Sequence, residues 1–223
     1  MEIFLRAKHW QLFLLTFGIP FLLQIVMMAG IFSHLMQLPQ VAPDPMIIIG
    51  YFKFFPVIMV LYMGTMFGWQ WSVATGLQKM APAGVTMKVK KFKIFFFIPV
   101  IYLTLLLIFL SIVFSTFFSN SGLIDSKFGT ISGGLYIFIP FMIIIPLHLF
   151  AMFCIFYSLY FVAKTYKTVE LQREVTFGDF VGEFFLTWFF PIGVWILQPK
   201  INKLIKEYNN NGGDEVHEQG SSQ

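Results

Sequence analysis

Residues 94–118 read IFFFIPVIYLTLLLIFLSIVFSTFF, an uncharged run that opens directly after the basic segment Lys88-Val-Lys90-Lys91-Phe-Lys93. A helix of roughly 20 apolar residues crosses about 30 Å of hydrocarbon, and this run is long enough. Its polar side chains are hydroxyls, which in a membrane helix bond back to their own backbone. Pro99 reads as a kink that such a helix tolerates. Working outward, the same pattern recurs at Trp10–Phe32, Ile48–Trp71 and Leu135–Val162, with Lys53 the one charge inside these runs. Four spans of an all-α integral membrane protein are therefore expected.

Composition agrees with that reading. Of 223 residues, 57% are hydrophobic, 19% aromatic and only 12% charged, and the mean hydropathy is +0.77. A soluble domain of this size could not hide so much apolar surface. The formal charge of +4 does not point to nucleic acid, because the lysines cluster beside the apolar runs, where anionic headgroups and topology explain them. The single cysteine, Cys154, excludes an intrachain disulfide framework. Thirteen lysines to two arginines, with 30 Phe, are compatible with an AT-rich genome.

The gaps between spans set an orientation. Arg6 and Lys8 precede the first run, Lys79, Lys88, Lys90, Lys91 and Lys93 follow the second, and Lys164, Lys167 and Arg173 follow the fourth. The loop Ser33–Pro45 has no Lys or Arg, and Ser119–Gly134 has only Lys127. By the positive-inside rule the N-terminus is cytoplasmic and the two lysine-poor loops face out. Lys53 is expected to anchor its helix by carrying its ammonium to the outer interface. The first run is too long for a cleaved signal peptide, so a retained anchor is expected.

A fifth apolar stretch, Phe180–Leu197, contains Glu183 and the sequence Pro191-Ile192-Gly193. Proline stops a helix and glycine is free to take positive φ, so a break is expected there. A C-terminal re-entrant or interfacial helical hairpin keeps Lys200, Lys203 and Lys206 on the cytoplasmic lipid surface, whereas a fifth span would place them outside. Trp188 and Trp195 flank the break and suit an interface. Thr176-Phe177-Gly178-Asp179 has the form of a capping box. Lys167, Glu170, Arg173 and Glu174 read as an ion-paired extension of the fourth helix. Ile201, Leu204, Ile205 and Tyr208 make one apolar face of a short amphipathic segment. The organisation expected is a four-helix domain over 1–176, the hairpin and amphipathic segment over 177–208, and a disordered cytoplasmic tail over 209–223.

Few residues carry candidate chemistry. Gly64, Gly68, Ser72 and Gly76 recur every four residues and form a small-residue ridge for close helix packing, within the chain or in a homodimer. Gln24, Gln70 and His148 are the intramembrane polar candidates. At 1.5 Å per residue Gln24 and His148 both lie roughly 21–24 Å from the inner boundary, so a neutral His148 bonded to Gln24 is expected, with proton relay or ligand contact as the functional alternative. Haem ligation lacks a second histidine at matching depth, since His34 is near the outer end. Met59, Met63 and Met66 line one face; such thioethers can conduct Cu(I), but they read as apolar filling. Ser111, Ser115 and Ser158 lack a hydrolase motif. No catalytic residue, metal site or cofactor is assigned, and no enzyme activity is expected.

The run Gly182-Glu-Phe-Phe-Leu-Thr-Trp-Phe-Phe-Pro-Ile-Gly-Val-Trp-Ile-Leu-Gln-Pro-Lys-Ile-Asn202, with Val169-Glu-Leu-Gln-Arg173 before it and Arg6-Ala-Lys-His-Trp10 at the other end, resembles the signature of a family of uncharacterised multi-pass membrane proteins of bacteria. The resemblance implies the cytoplasmic (inner) membrane and no activity. The function expected is a non-enzymatic accessory or scaffold subunit whose partners are anionic lipid headgroups and a second copy or another membrane subunit. The alternatives are a small-solute or ion transporter with a polar track through Gln24, Gln70 and His148, and a bilayer-shaping hairpin protein.

Overall fold

The structure, a computed structural model, describes residues 2–36, 55–119 and 131–220. Helices are α1 (Glu2–Arg6), α2 (His9–Phe13), α3 (Ile19–Met36), α4 (Phe55–Gly76), α5 (Val89–Ser119), α6 (Ile131–Leu171), α7 (Phe177–Trp188) and α8 (Phe190–Gly220). A wider turn at Leu14–Gly18 joins α2 to α3, and a tighter one at Leu77–Met80 extends α4. No strand occurs among the described residues.

Four stretches are long and apolar enough to cross a membrane: His9–His34, Phe55–Met80, Val89–Ile112 and Met142–Leu171. They coincide with the four expected spans. Two start later than the sequence runs, at Phe55 rather than Ile48 and at Met142 rather than Leu135, although α6 itself begins at Ile131. Lys53, Met46, Lys127 and most of both lysine-poor loops fall outside the described residues.

The chain divides into two compact units: Met1–Pro20 with Leu61–Phe92 and Ser158–Gln223, and Phe21–Val60 with Lys93–Tyr157. The first unit holds most of the buried side chains. Trp69, Val73, Leu77, Phe92, Val162, Phe180, Phe190 and Ile201 are all sealed from solvent there. Phe92 stacks on Phe161 at 4.7 Å between ring centroids, and Phe190 meets Trp69 edge-on at 5.1 Å. Such pairs add about 0.5–1.5 kcal/mol beyond their buried area. In the second unit Met27, Phe96, Tyr102, Ala151 and Cys154 are buried, and Phe95 packs on Tyr157 at 4.7 Å.

Between α6 and α7 the chain turns at Gln172, whose φ of 49° is left-handed. Its amide nitrogen donates to the carbonyls of Val169 at 2.8 Å and Met80 at 3.1 Å, satisfying acceptors that a helix end leaves free. The expected capping box then opens α7: the Thr176 backbone N–H donates to the Asp179 carboxylate at 2.8 Å, and the Thr176 hydroxyl to the same oxygen at 3.0 Å. α8 continues past Asn209, where composition led us to expect a tail, to Gly220; once a helix is nucleated, each added residue gains a bond without needing a tertiary partner.

Candidate functional site

The break inside the fifth apolar stretch exists, but two residues earlier than proline and glycine indicated. Phe189, with φ −85° and ψ 56°, separates α7 from α8. Pro191 is the second residue of α8, a first-turn position at which no backbone donor is needed. Gly193 does not take positive φ. What it supplies is space: a Cβ there would run into the carbonyl oxygen of Leu186, which is backbone and cannot turn aside. In the turn Phe189 N–H donates to Phe185 O at 2.8 Å, Ile192 N–H to Phe189 O at 3.0 Å and Gly193 N–H to Phe189 O at 2.8 Å.

The small-residue ridge receives the N-terminal helix. A Cβ on Gly68 would lie 2.7 Å from the Phe4 ring, and one on Gly76 would overlap the Leu5 side chain. Gly64, by contrast, faces open space, and the Ser72 hydroxyl donates back to Gly68 O at 2.8 Å. The ridge thus seats a five-residue helix too short to persist alone.

Gln198 holds that helix in place. Fully buried, it accepts a 2.6 Å hydrogen bond from Trp69 Nε1 and directs its own amide nitrogen at the carbonyls of Leu5 (3.0 Å), Ala7 (3.0 Å) and Phe4 (3.2 Å) and at Asn202 Oδ1 (3.1 Å). Asn202, one turn further along α8, donates to Ala7 O at 3.2 Å. The side chains of α8 therefore cap α1 across the break at Ala7, in place of the next turn of helix. Neither Gln198 nor Asn202 was singled out in the sequence. The signal was present, two amides at i and i+4 directly after the apolar stretch, but either reads equally as a residue at the membrane interface.

An ion network ties α6 to α7. Lys167 Nζ lies 2.6 Å from Glu170 Oε2 and 3.0 Å from Glu183 Oε1, and Tyr166 donates to Glu170 at 2.7 Å. Of the expected ion-paired extension of the fourth helix, Lys167 and Glu170 pair on α6, whereas the helix ends at Leu171 and leaves Arg173 and Glu174 beyond it; Glu183 is the second anion of Lys167. Arg173 pairs with Asp179 at 2.8 Å. That pairing, with both Thr176 donors, holds the Asp179 carboxyl down at about 2.

Helix α7 is polarised in an unusual sense, whereas α8 buries Phe190, Val194, Leu197 and Ile201 beside Gln198. Phe180, Glu183 and Thr187 of α7 point inward, while Phe177, Val181, Phe185 and Trp188 face out, followed by Phe189, Ile192, Trp195 and Ile196. Trp188 stacks against Phe185 and Phe189; Trp195 lies 4.6 Å from His9 and 5.4 Å from Phe13. Lys200, Lys203 and Lys206 are exposed, Lys203 within 3.7 Å of Glu207, whereas Ile201 of the amphipathic segment is buried in protein.

The intramembrane polar candidates fare differently. His148 does not meet Gln24: its Nδ1 lies 3.1 Å from the Tyr102 hydroxyl on α5, and Gln24 is exposed on α3. Matching depth said nothing about which helix faces the imidazole. Gln70 is fully buried, and neither atom of its amide has a hydrogen-bond partner among the described residues, a rare condition for a buried amide. Among the described residues no three His, Cys, Asp or Glu side chains stand together as metal ligands would. Comparison with protein-family models, curated proteins and solved structures finds no match to this chain.

Proposed function

We propose that this protein is a non-enzymatic accessory or scaffold subunit of the bacterial cytoplasmic membrane, with its N-terminus inside. The observation that carries this reading is the stretch Met142–Phe150 of α6, where every side chain except Ile144 is exposed and His148 is among them. Lipid tails can cover the isoleucines and leucines. They cannot hydrogen-bond an imidazole at that depth, so a protein partner accounts for it better. The lysine asymmetry supports the orientation, and the resemblance of residues 182–202 supports a bacterial membrane.

Within this reading α7 and α8 form a re-entrant or interfacial hairpin. Its support is the outward apolar face: Phe177, Phe185, Trp188, Ile192 and Trp195 exposed, with Glu183 and Thr187 of α7 inside, suit an element surrounded by acyl chains, with Lys200, Lys203 and Lys206 at anionic headgroups. The same feature favours bilayer shaping as a second role. The unpartnered Gln70 amide is what favours the transport alternative.

Purification from native membranes in mild detergent tests the proposal. A stoichiometric protein partner is expected. A chain that elutes alone, with a bound ion or solute, would replace the subunit reading by transport. A single cysteine at Ala83, in a Cys154→Ala background, should resist impermeant maleimide in intact cells while one at Gln40 is labelled; the reverse pattern would invert the orientation.

A further inference from the structure

We propose that Gln70, Thr165 and Thr168 form an internal site for bound water, enclosed between α4 and α6 in the first unit. All three residues are at most 1% exposed. Among the described residues, no hydrogen-bond partner reaches the Gln70 amide oxygen, its nitrogen or either threonine hydroxyl. The hydroxyls are the telling pair. Thr16, Thr65, Thr75, Thr104 and Thr187 each donate to the carbonyl four residues earlier, the usual resort of a threonine away from water. Thr165 and Thr168 lie within α6 with the same option and do not take it.

The fold brings the three residues together. Trp71 of α4 and Phe161 of α6 both pack on Phe92, at 6.1 and 4.7 Å between ring centroids, and at the other end Gln172 donates to Met80 O. Between these two ties α4 and α6 run side by side in the same direction. At 100° per residue Phe161, Thr165, Thr168 and Gln172 fall within about 60° of one another on α6, so both threonines share the side that carries the ties. On α4, Gln70 lies between Trp69, whose ring meets Phe190 of α8, and Trp71, whose ring meets Phe92 of α5. Its amide therefore points into the space that these helices enclose. At 1.5 Å per residue Gln70 stands roughly 15 Å from the level of Met80, and Thr165 roughly 10 Å from that of Gln172. The offset of about 5 Å is too long for one hydrogen bond and matches two in series through a water.

The donor set selects water over an ion. Gln70 brings a carbonyl oxygen and an NH2, and each threonine brings a group that both donates and accepts. A cation would satisfy the oxygens and leave Nε2 unserved, and none of the three residues carries a negative charge to offset the cost of burying one. A water donates and accepts, and in protein interiors it typically makes about three such bonds.

Thermal melting of the full chain in detergent, with Gln70→Leu, Thr165→Val and the two combined, tests the site. Each single change takes a partner from the bound water and should lower the melting temperature by about 2–4 °C, the equivalent of one hydrogen bond. The combined change should cost less than the sum, because the second removes a group whose water the first has already loosened. Dry, orphaned groups would behave in the opposite way, since an apolar replacement relieves an unsatisfied amide. A raised or unchanged melting temperature for Gln70→Leu, or effects that simply add, would overturn the proposal. An experimental density map at about 2 Å resolution needs no variant, and it should show water within about 2.6–3.2 Å of the Gln70 amide and of Thr165 or Thr168. A Gln70 amide bonded directly to either threonine, or one with no water beside it, would also overturn the proposal.

Discussion

The two units of this chain use similar apolar sequence for opposite purposes. In the unit of residues 1–20, 61–92 and 158–223, Trp69, Phe92, Phe180 and Phe190 are sealed inside, and Gln198, Lys167 and Glu183 are consumed in bonds between helices. In the unit of residues 21–60 and 93–157, the side chains of Phe21, Leu22, Ile101, Leu105, Met142 and Leu149 are exposed. Helices apolar on nearly every side need lipid or another helix around them, and the first unit also turns Phe185, Trp188, Ile192 and Trp195 outward, but it does so around a core of its own. The comparison teaches that one unit builds a core within the chain, whereas the other leaves most of its apolar side chains to its surroundings.

The largest effect that would break this comparison is expected at Gly193. Gly193→Leu places carbon where the Leu186 carbonyl stands, and no rotamer relieves a clash with backbone, so the turn between α7 and α8 should be lost. Gly64→Leu, facing open space, is the control. Thermal melting in detergent should show a folded Gly64→Leu protein and little or no cooperative transition for Gly193→Leu. Equal melts would mean that the turn is not a structural requirement.

Gln198→Leu should cost about 2–3 kcal/mol, because it leaves the buried Trp69 N–H without its acceptor and the Leu5 carbonyl without its donor. The consequence is local: α1 should come off the Gly68 and Gly76 ridge. Proteolysis within the first eight residues should become fast while the rest of the chain stays resistant. An N-terminus as protected as in the parent protein would remove Gln198 from the account.

These two positions also show where sequence was enough and where it was not. The four spans follow from length and charge alone, because crossing hydrocarbon imposes a requirement on composition that no tertiary detail can override. The Thr176 and Asp179 cap was legible for a similar reason, since its partners are three residues apart. The ridge of Gly68 and Gly76 was legible as a place for close approach, but its occupant, α1, lies more than sixty residues away in the chain. Gln198 and the Tyr102 partner of His148 depend on which helices face each other, and neither periodicity nor depth specifies that. Gly193 was identified for the wrong property: its lack of a side chain matters there, and its freedom in φ does not.

The smallest effect concerns pH. Asp179 has its carboxyl held at about 2 in the folded protein, below its ordinary 3.8, by Arg173 and the Thr176 donors. A depressed carboxylate stabilises the fold at pH values above its unfolded value and loses that contribution as pH falls through the folded one. The melting difference between the parent and Asp179→Asn should be constant above about pH 5 and vanish by about pH 1. Because the pair is surface-exposed, high salt should shrink it. A difference that persisted undiminished at about pH 1 would exclude the carboxylate as its source.

The comparison itself is tested most directly by photocrosslinking in native membranes, with benzoylphenylalanine at Ile145 in the open unit and at Ile192 on the outer face of the closed one. Both side chains are exposed and apolar, so only their surroundings distinguish them. The account predicts protein adducts from Ile145 and lipid adducts alone from Ile192. Lipid adducts alone from both positions would contradict it.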